Sequence, residues 1–129
     1  MSRDLPIPTD AEMAILAILW NCGEATVRQV HETLSETKDS QYTTTLKLMQ
    51  IMTVKGFVER DESSRSHIYR PRITADQMRQ NAAGKLMDRL FEGSAQRLLV
   101  GALGARKPSK KTLSELRKLI DELEKGRKS

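Results

Sequence analysis

The stretch 41–56 constrains this chain most, because it reads as a helix with two usable faces and a fixed end at Gly56. At 100° per residue, Thr45, Leu48, Met49 and Met52 fall on one side, spaced i, i+3, i+4, i+7, and pack on neighbouring helices. Thr43, Lys47, Gln50 and Val54 fall within about a third of a turn on the opposite side, with Thr44 and Ile51 beside them. A helix buried on one face thus offers hydroxyl, ammonium and amide groups on the other. Those groups reach base edges and phosphates in a major groove.

Two helices precede it. Thr9-Asp10-Ala11-Glu12 fits a capping box in which Thr9 and Glu12 satisfy each other's free amides. The helix it opens runs to about Trp20 with a broad apolar face, and Asn21-Cys22-Gly23 stops it. Glu24-Ala25 is too short to be more than a single sheet bridge. Thr26, with Gln29 three residues on, caps a second helix carrying Val27, Val30 and Leu34, and the polar residues 35–40 form a loop. After Gly56, Phe57 to Asp61 alternates apolar and polar, the turn-rich Glu62-Ser63-Ser64-Arg65-Ser66 follows, and His67-Ile68-Tyr69-Arg70 alternates again before Pro71. This is a hairpin with an Arg-bearing tip.

Three helices followed by a β-hairpin is the order of a winged helix-turn-helix, in which the third helix enters the groove and the wing touches the flanking backbone. Arg65 at the tip and Arg70 on the second strand are the natural phosphate partners. Charge follows the same division. Residues 1–40 carry 3 basic and 7 acidic side chains, residues 41–74 carry 6 and 3, and residues 75–129 carry 13 and 7. The middle segment turns basic where one face would meet phosphate, within a net charge of +5.

Composition removes other classes. One Cys and two His leave no disulfide framework and little material for a metal cage, so no metal or other cofactor is expected. His31 and His67 read as surface or hydrogen-bonding residues, and Cys22 beside Trp20 as a small buried hydrophobe rather than a redox sensor. No apolar run approaches the roughly 18 residues of a membrane span, and the first ten residues hold no signal-peptide core, so a cytoplasmic protein without direct membrane contact is expected. No nucleophile–base constellation, Gly-rich phosphate loop or paired-carboxylate cleft is recognisable, which argues against an enzyme.

Tyr42-Thr43-Thr44-Thr45, then Leu48-Met49, Met52 and Lys55-Gly56-Phe57-Val58, resemble the recognition-helix signature of the penicillinase repressor family (BlaI/MecI/CopY). Pro8-Thr9-Asp10-Ala11-Glu12 with its helix ending in Trp20 is similar to that family's first helix, and Tyr69-Arg70-Pro71 to its wing closure. Length and layout match over essentially the whole chain. The resemblance implies a dimeric bacterial repressor on a two-fold-related operator, with Thr43, Thr44, Lys47 and Arg65 facing DNA and β-lactamase-type or stress genes as targets. The family often has Arg where this chain has Ile51, a departure that removes a phosphate contact. It has an apolar residue where this chain has Thr45, whose hydroxyl near the core can back-bond within its own helix.

The DNA-binding part is placed at residues 1–74 and a helical dimerisation part at 75–129, which makes the fold mainly α. Thr74 caps a helix carrying Met78, Ala82, Leu86 and Leu90, with Phe91 beside them and Gly93 as terminator. Ser94 opens a short segment with Leu98, Leu99, Val100 and Leu103. Ser109 caps a last helix in which Leu113, Leu116, Ile120 and Leu123 repeat at 3, 4, 3, a spacing that asks for a partner surface. Residues 125–129 read as a solvated tail.

The residues leave the relief of repression open. The resemblance implies proteolysis at an Asn-Phe bond in antibiotic-responsive members, which aligns with Gly101-Ala102 here, so that pair is absent and a sensor protease is unknown. The copper-responsive branch carries paired Cys-x-Cys motifs, which this chain lacks. Two other readings of function stand beside the repressor: a winged-helix adaptor that docks on protein through its third helix, and an activator that binds DNA in the same way.

Overall fold

The computed structural model describes residues 5–128. In chain order its elements are α1 (Asp10–Cys22), β1 (Ala25–Thr26), α2 (Val27–Ser35), α3 (Tyr42–Lys55), β2 (Val58–Asp61), β3 (Ile68–Pro71), α4 (Ala75–Leu90), α5 (Ala95–Ala105) and α6 (Lys110–Lys128). The protein is mainly helical with a small antiparallel sheet, and the chain divides into two compact units between Lys85 and Leu86. No described helix is long and apolar enough to cross a membrane.

The first unit is organised by its caps and its sheet. The Thr9 hydroxyl accepts from the Glu12 amide at 3.2 Å, and the Glu12 carboxylate accepts from the Thr9 amide at 2.9 Å. Thr26 and Gln29 repeat the arrangement at α2, at 3.2 and 2.8 Å. Helix α1 runs through Asn21 and Cys22, past the end expected near Trp20, because the left-handed turn comes only at Gly23, with φ 88°. The sheet order is β1-β3-β2. Ala25 and Thr26 pair with Tyr69 and Ile68, so the expected single bridge is a two-residue strand. Arg60 faces Tyr69 across the hairpin.

Ile15, Leu16 and Leu19 of α1, Val30 of α2, Met49 and Met52 of α3, and Phe57, Val58 and Tyr69 of the wing form one sealed core. Tyr69 shows how the alternation of the second strand becomes packing, since it turns inward while Arg70 beside it does not. The Trp20 indole N–H donates to the Ile73 carbonyl at 2.8 Å and fastens the chain leaving the wing to α1.

This core also takes in the start of α4. Met78, expected among the apolar residues of the C-terminal part, is 2% exposed in the core of the first unit. The Asn81 side-chain amide donates to the Leu5 carbonyl at 2.8 Å. Thr74 and Gln77 supply another reciprocal cap, at 3.0 and 3.1 Å.

In the second unit, Glu92 and Gly93 take φ of 55° and 75°, and the Gly93 amide donates to the Met87 carbonyl at 3.0 Å, ending α4. Ser94 caps α5 by accepting from the Arg97 amide, and Ser109 caps α6 by accepting from the Thr112 amide, each at 3.1 Å. A Cβ on Gly101 would stand 3.0 Å from the Phe91 ring, so a glycine is what lets α5 lie this close to it. Helix α6 continues through Lys128, so the expected tail is helical up to that residue, and Ser129 lies outside the described residues. Among the described residues from Leu86 onward, none is buried.

Candidate nucleic-acid interface

Helix α3 is held from behind. Thr45, Met49 and Met52 are buried, whereas Thr43, Thr44, Lys47 and Gln50 are exposed together with Tyr42, Ile51 and Val54. The two faces are those that the 100° spacing predicts.

The Thr45 hydroxyl departs from expectation. It does not bond back along its own helix but lies 3.2 Å from His31 Nδ1 on α2. The reason is position, because a buried hydroxyl facing α2 finds a ring nitrogen there, and the bond gives both groups a partner. His31 also contacts the Ser35 hydroxyl at 3.4 Å and meets the Tyr42 ring edge-on at 5.6 Å. The back-bond occurs instead at Thr53, whose hydroxyl donates to the Met49 carbonyl at 2.9 Å.

The C-terminal end of α3 is tied by a partly buried ion pair. Lys55 Nζ lies 2.8 Å from Glu12 Oε2, with the glutamate side chain 2% exposed and the lysine 34%. Burial pushes the Glu12 carboxyl up, but the Lys55 ammonium and the Thr9 amide and hydroxyl outweigh it, and the net shift is downward. The pair joins residues 43 apart in the chain, so neither a capping box nor a helix-end lysine announces it.

The wing carries its cations in two different states. Arg65 stands exposed in the turn, shaped by the Ser63 amide donating to Asp61 Oδ1 at 2.9 Å and the Ser64 hydroxyl donating to the Ser66 carbonyl at 2.8 Å. Arg70, expected beside it as a phosphate partner, donates through Nε to Glu24 at 3.1 Å and through Nη2 to Asp61 at 3.2 Å. Its guanidinium therefore links the approach to β1 with β2, and two carboxylates already share its charge. Hydrogen bonds from Ser63, then from Arg70, hold the Asp61 carboxyl below the usual range. Arg60 pairs with Glu62.

The remaining candidates lie apart from this surface in role. Cys22 is exposed, against the expectation of a buried hydrophobe, because α1 carries it one residue short of the Gly23 turn; its thiol donates to the Glu24 carbonyl at 3.4 Å. His67 is exposed on the wing. Among the described residues no group of three or more His, Cys, Asp or Glu gathers as a metal site. Of the residues expected at a dimer contact, Leu86, Leu90, Leu99, Leu113, Ile120 and Leu123 are exposed, and Leu98 and Leu116 are half-buried.

Comparison with known proteins bears on the fold and the family. A solution structure of the DNA-binding domain of the repressor BlaI has the same fold, with a TM-score of 0.52 at 22% identity over 60% of this chain and 93% of that one. The Bacillus licheniformis BlaI monomer, solved in complex with the blaP half-operator, gives a TM-score of 0.50 at 22% identity over 57% of this chain and 89% of that one. In sequence, the transcriptional regulator BlaI of Mycobacterium tuberculosis (strain ATCC 25618 / H37Rv) is 34% identical over 122 residues, 91% of this chain and 85% of that protein. The family model of the penicillinase repressor matches residues 8–122. The chain belongs to the penicillinase repressor family.

Proposed function

We propose that the chain is a homodimeric transcriptional repressor that binds a dyad-symmetric operator, with α3 in the major groove and the wing on the backbone. The observation that carries this is the two-sidedness of α3: Thr45, Met49 and Met52 fix it to the core, and Thr43, Lys47 and Gln50 stand exposed opposite them with Thr44 beside. Lys47 and Gln50 supply donors suited to purine edges, the threonines hydroxyls for base or phosphate, and Arg65 a cation for the flanking backbone. A BlaI of the same fold is bound to a half-operator in its solved structure, which supports the same use of the domain here.

The groups that read DNA fall within residues 1–74, and those that pair two chains within 75–129. Leu86, Leu90, Leu98, Leu99, Leu113, Leu116, Ile120 and Leu123 form the pairing surface, because the segment from Leu86 onward, with no buried residue among those described, gains a core from a second copy. One recognition helix reads a few base pairs. Two at a fixed separation read a dyad and occlude polymerase.

The test is fluorescence anisotropy of the full chain with a fragment of its own promoter and a scrambled control at several salt concentrations. The expected result is a preference of about a thousandfold for the promoter, with affinity falling steeply as salt rises. Absence of binding at low salt would remove the DNA reading and leave the protein-docking adaptor in its place.

A further inference from the structure

The exposed face of α3 carries two aliphatic side chains that lie outside the core cluster. Val54 is 89% exposed and Ile51 38%, and three residues apart they are neighbours on the helix surface. Val54 is also the last member of a single stripe, Thr43, Lys47, Gln50, Val54, at i, i+4, i+7 and i+11. At 1.5 Å of rise per residue the stripe is about 16 Å long, the rise of about five base pairs. The cation at this end of the helix, Lys55, is drawn 2.8 Å from Glu12 on the core side. The stripe therefore begins with polar groups and ends in an apolar patch.

Such a patch suits one feature of the major groove. Base edges there present hydrogen-bond donors and acceptors, apart from the C5-methyl of thymine. Lys47 and Gln50 can pair with donors and acceptors, whereas an isopropyl group gains free energy only by leaving water against another apolar group. We propose that Val54, with Ile51 against it, reads a thymine methyl in each operator half-site, and so fixes one base pair that the polar members of the stripe do not. This rests on the operator reading given above. Contact of the same side chain with deoxyribose would be indifferent to the base, which separates the two by experiment.

The full chain is first used to select an operator from a random-sequence duplex pool. Each half-site thymine is then replaced in turn by deoxyuridine, which removes the methyl and keeps the pairing edge. Affinities are measured by anisotropy for the wild type, Val54→Ala and Ile51→Ala. Val54→Ala removes an exposed side chain and raises helix propensity, so the fold is preserved, and circular dichroism checks it. At one thymine per half-site the wild type loses about fourfold, the worth of one buried methyl. Val54→Ala shows no difference between thymine and uracil at that position, and Ile51→Ala a reduced one. The proposal is overturned if no replacement weakens the wild type, if Val54→Ala keeps the full discrimination, or if that variant weakens binding equally on thymine and uracil operators. A wild-type chain that selects no sequence would take down the operator reading itself.

Discussion

The two units of this chain bury their apolar residues in opposite ways. In the first, Ile15, Leu16, Leu19, Val30, Met49, Met52 and Phe57 are wholly removed from water. In the second, helices α5 and α6 each have a serine cap, yet Leu90, Val100 and Leu123 remain more than 60% exposed. Caps and helix propensity set where a helix begins and ends, and a core decides whether it persists alone. The first unit has what it needs within one chain. The second has sound helices and no buried residue among those described from Leu86 onward, and under the proposed pairing its stability comes from association.

The largest expected effect breaks that contrast. Replacing Leu116 and Ile120 together by Asp puts carboxylates into the proposed pairing surface. The chain should then run as a monomer in sedimentation equilibrium and lose operator affinity by about 10²–10⁴-fold as the second half-site ceases to be held nearby. The first unit should unfold at an unchanged temperature. In the wild type, the unfolding midpoint of the second unit should rise with protein concentration and that of the first should not.

Lys55→Ala attacks the first unit where its polar and apolar parts meet. It leaves the Glu12 carboxylate buried without its ammonium, and a loss of about 2–3 kcal/mol is expected, reduced from that of a fully buried pair because Lys55 is partly solvated. Denaturant unfolding followed by Trp20 fluorescence measures it. The pH dependence has a definite sign. The Glu12 pKa is held below its ordinary 4.5, so the stability it contributes is present above that pH and is lost as pH falls through the lowered value. Glu12→Gln should flatten that acid limb.

Lys47→Ala should weaken operator binding about tenfold and reduce the salt slope by about one, without moving the unfolding midpoint. Arg65→Ala should reduce the slope by a similar amount. Arg70→Ala should instead loosen the wing while changing the slope little, since two carboxylates already hold its charge. The smallest effect is at Trp20→Phe, which removes the bond to the Ile73 carbonyl and should cost about 1 kcal/mol.

What the sequence makes legible is local. Thr9 with Glu12, Thr26 with Gln29 and Thr74 with Gln77 lie three residues apart, so their reciprocal caps can be seen in the order of residues alone. The faces of α3 follow from helical periodicity, and the wing from alternation around a polar turn. What it hides joins distant segments or depends on where an element stops. Glu12 meets Lys55, Glu24 meets Arg70 and Asn81 meets Leu5, and no spacing rule connects such pairs. Met78 keeps the period of its helix, but which core that helix faces is set by the chain around it. Cys22 is exposed because α1 turns its last residues outward, and Thr45 bonds to His31 because α2 packs across it.

The most direct test of the account is a stoichiometric titration of the full chain on a complete dyad operator and on one isolated half-site, followed by anisotropy. Two chains per dyad are predicted, with the half-site bound at least about a hundredfold more weakly. One chain per site, with equal affinity for the dyad and the half-site, would contradict it.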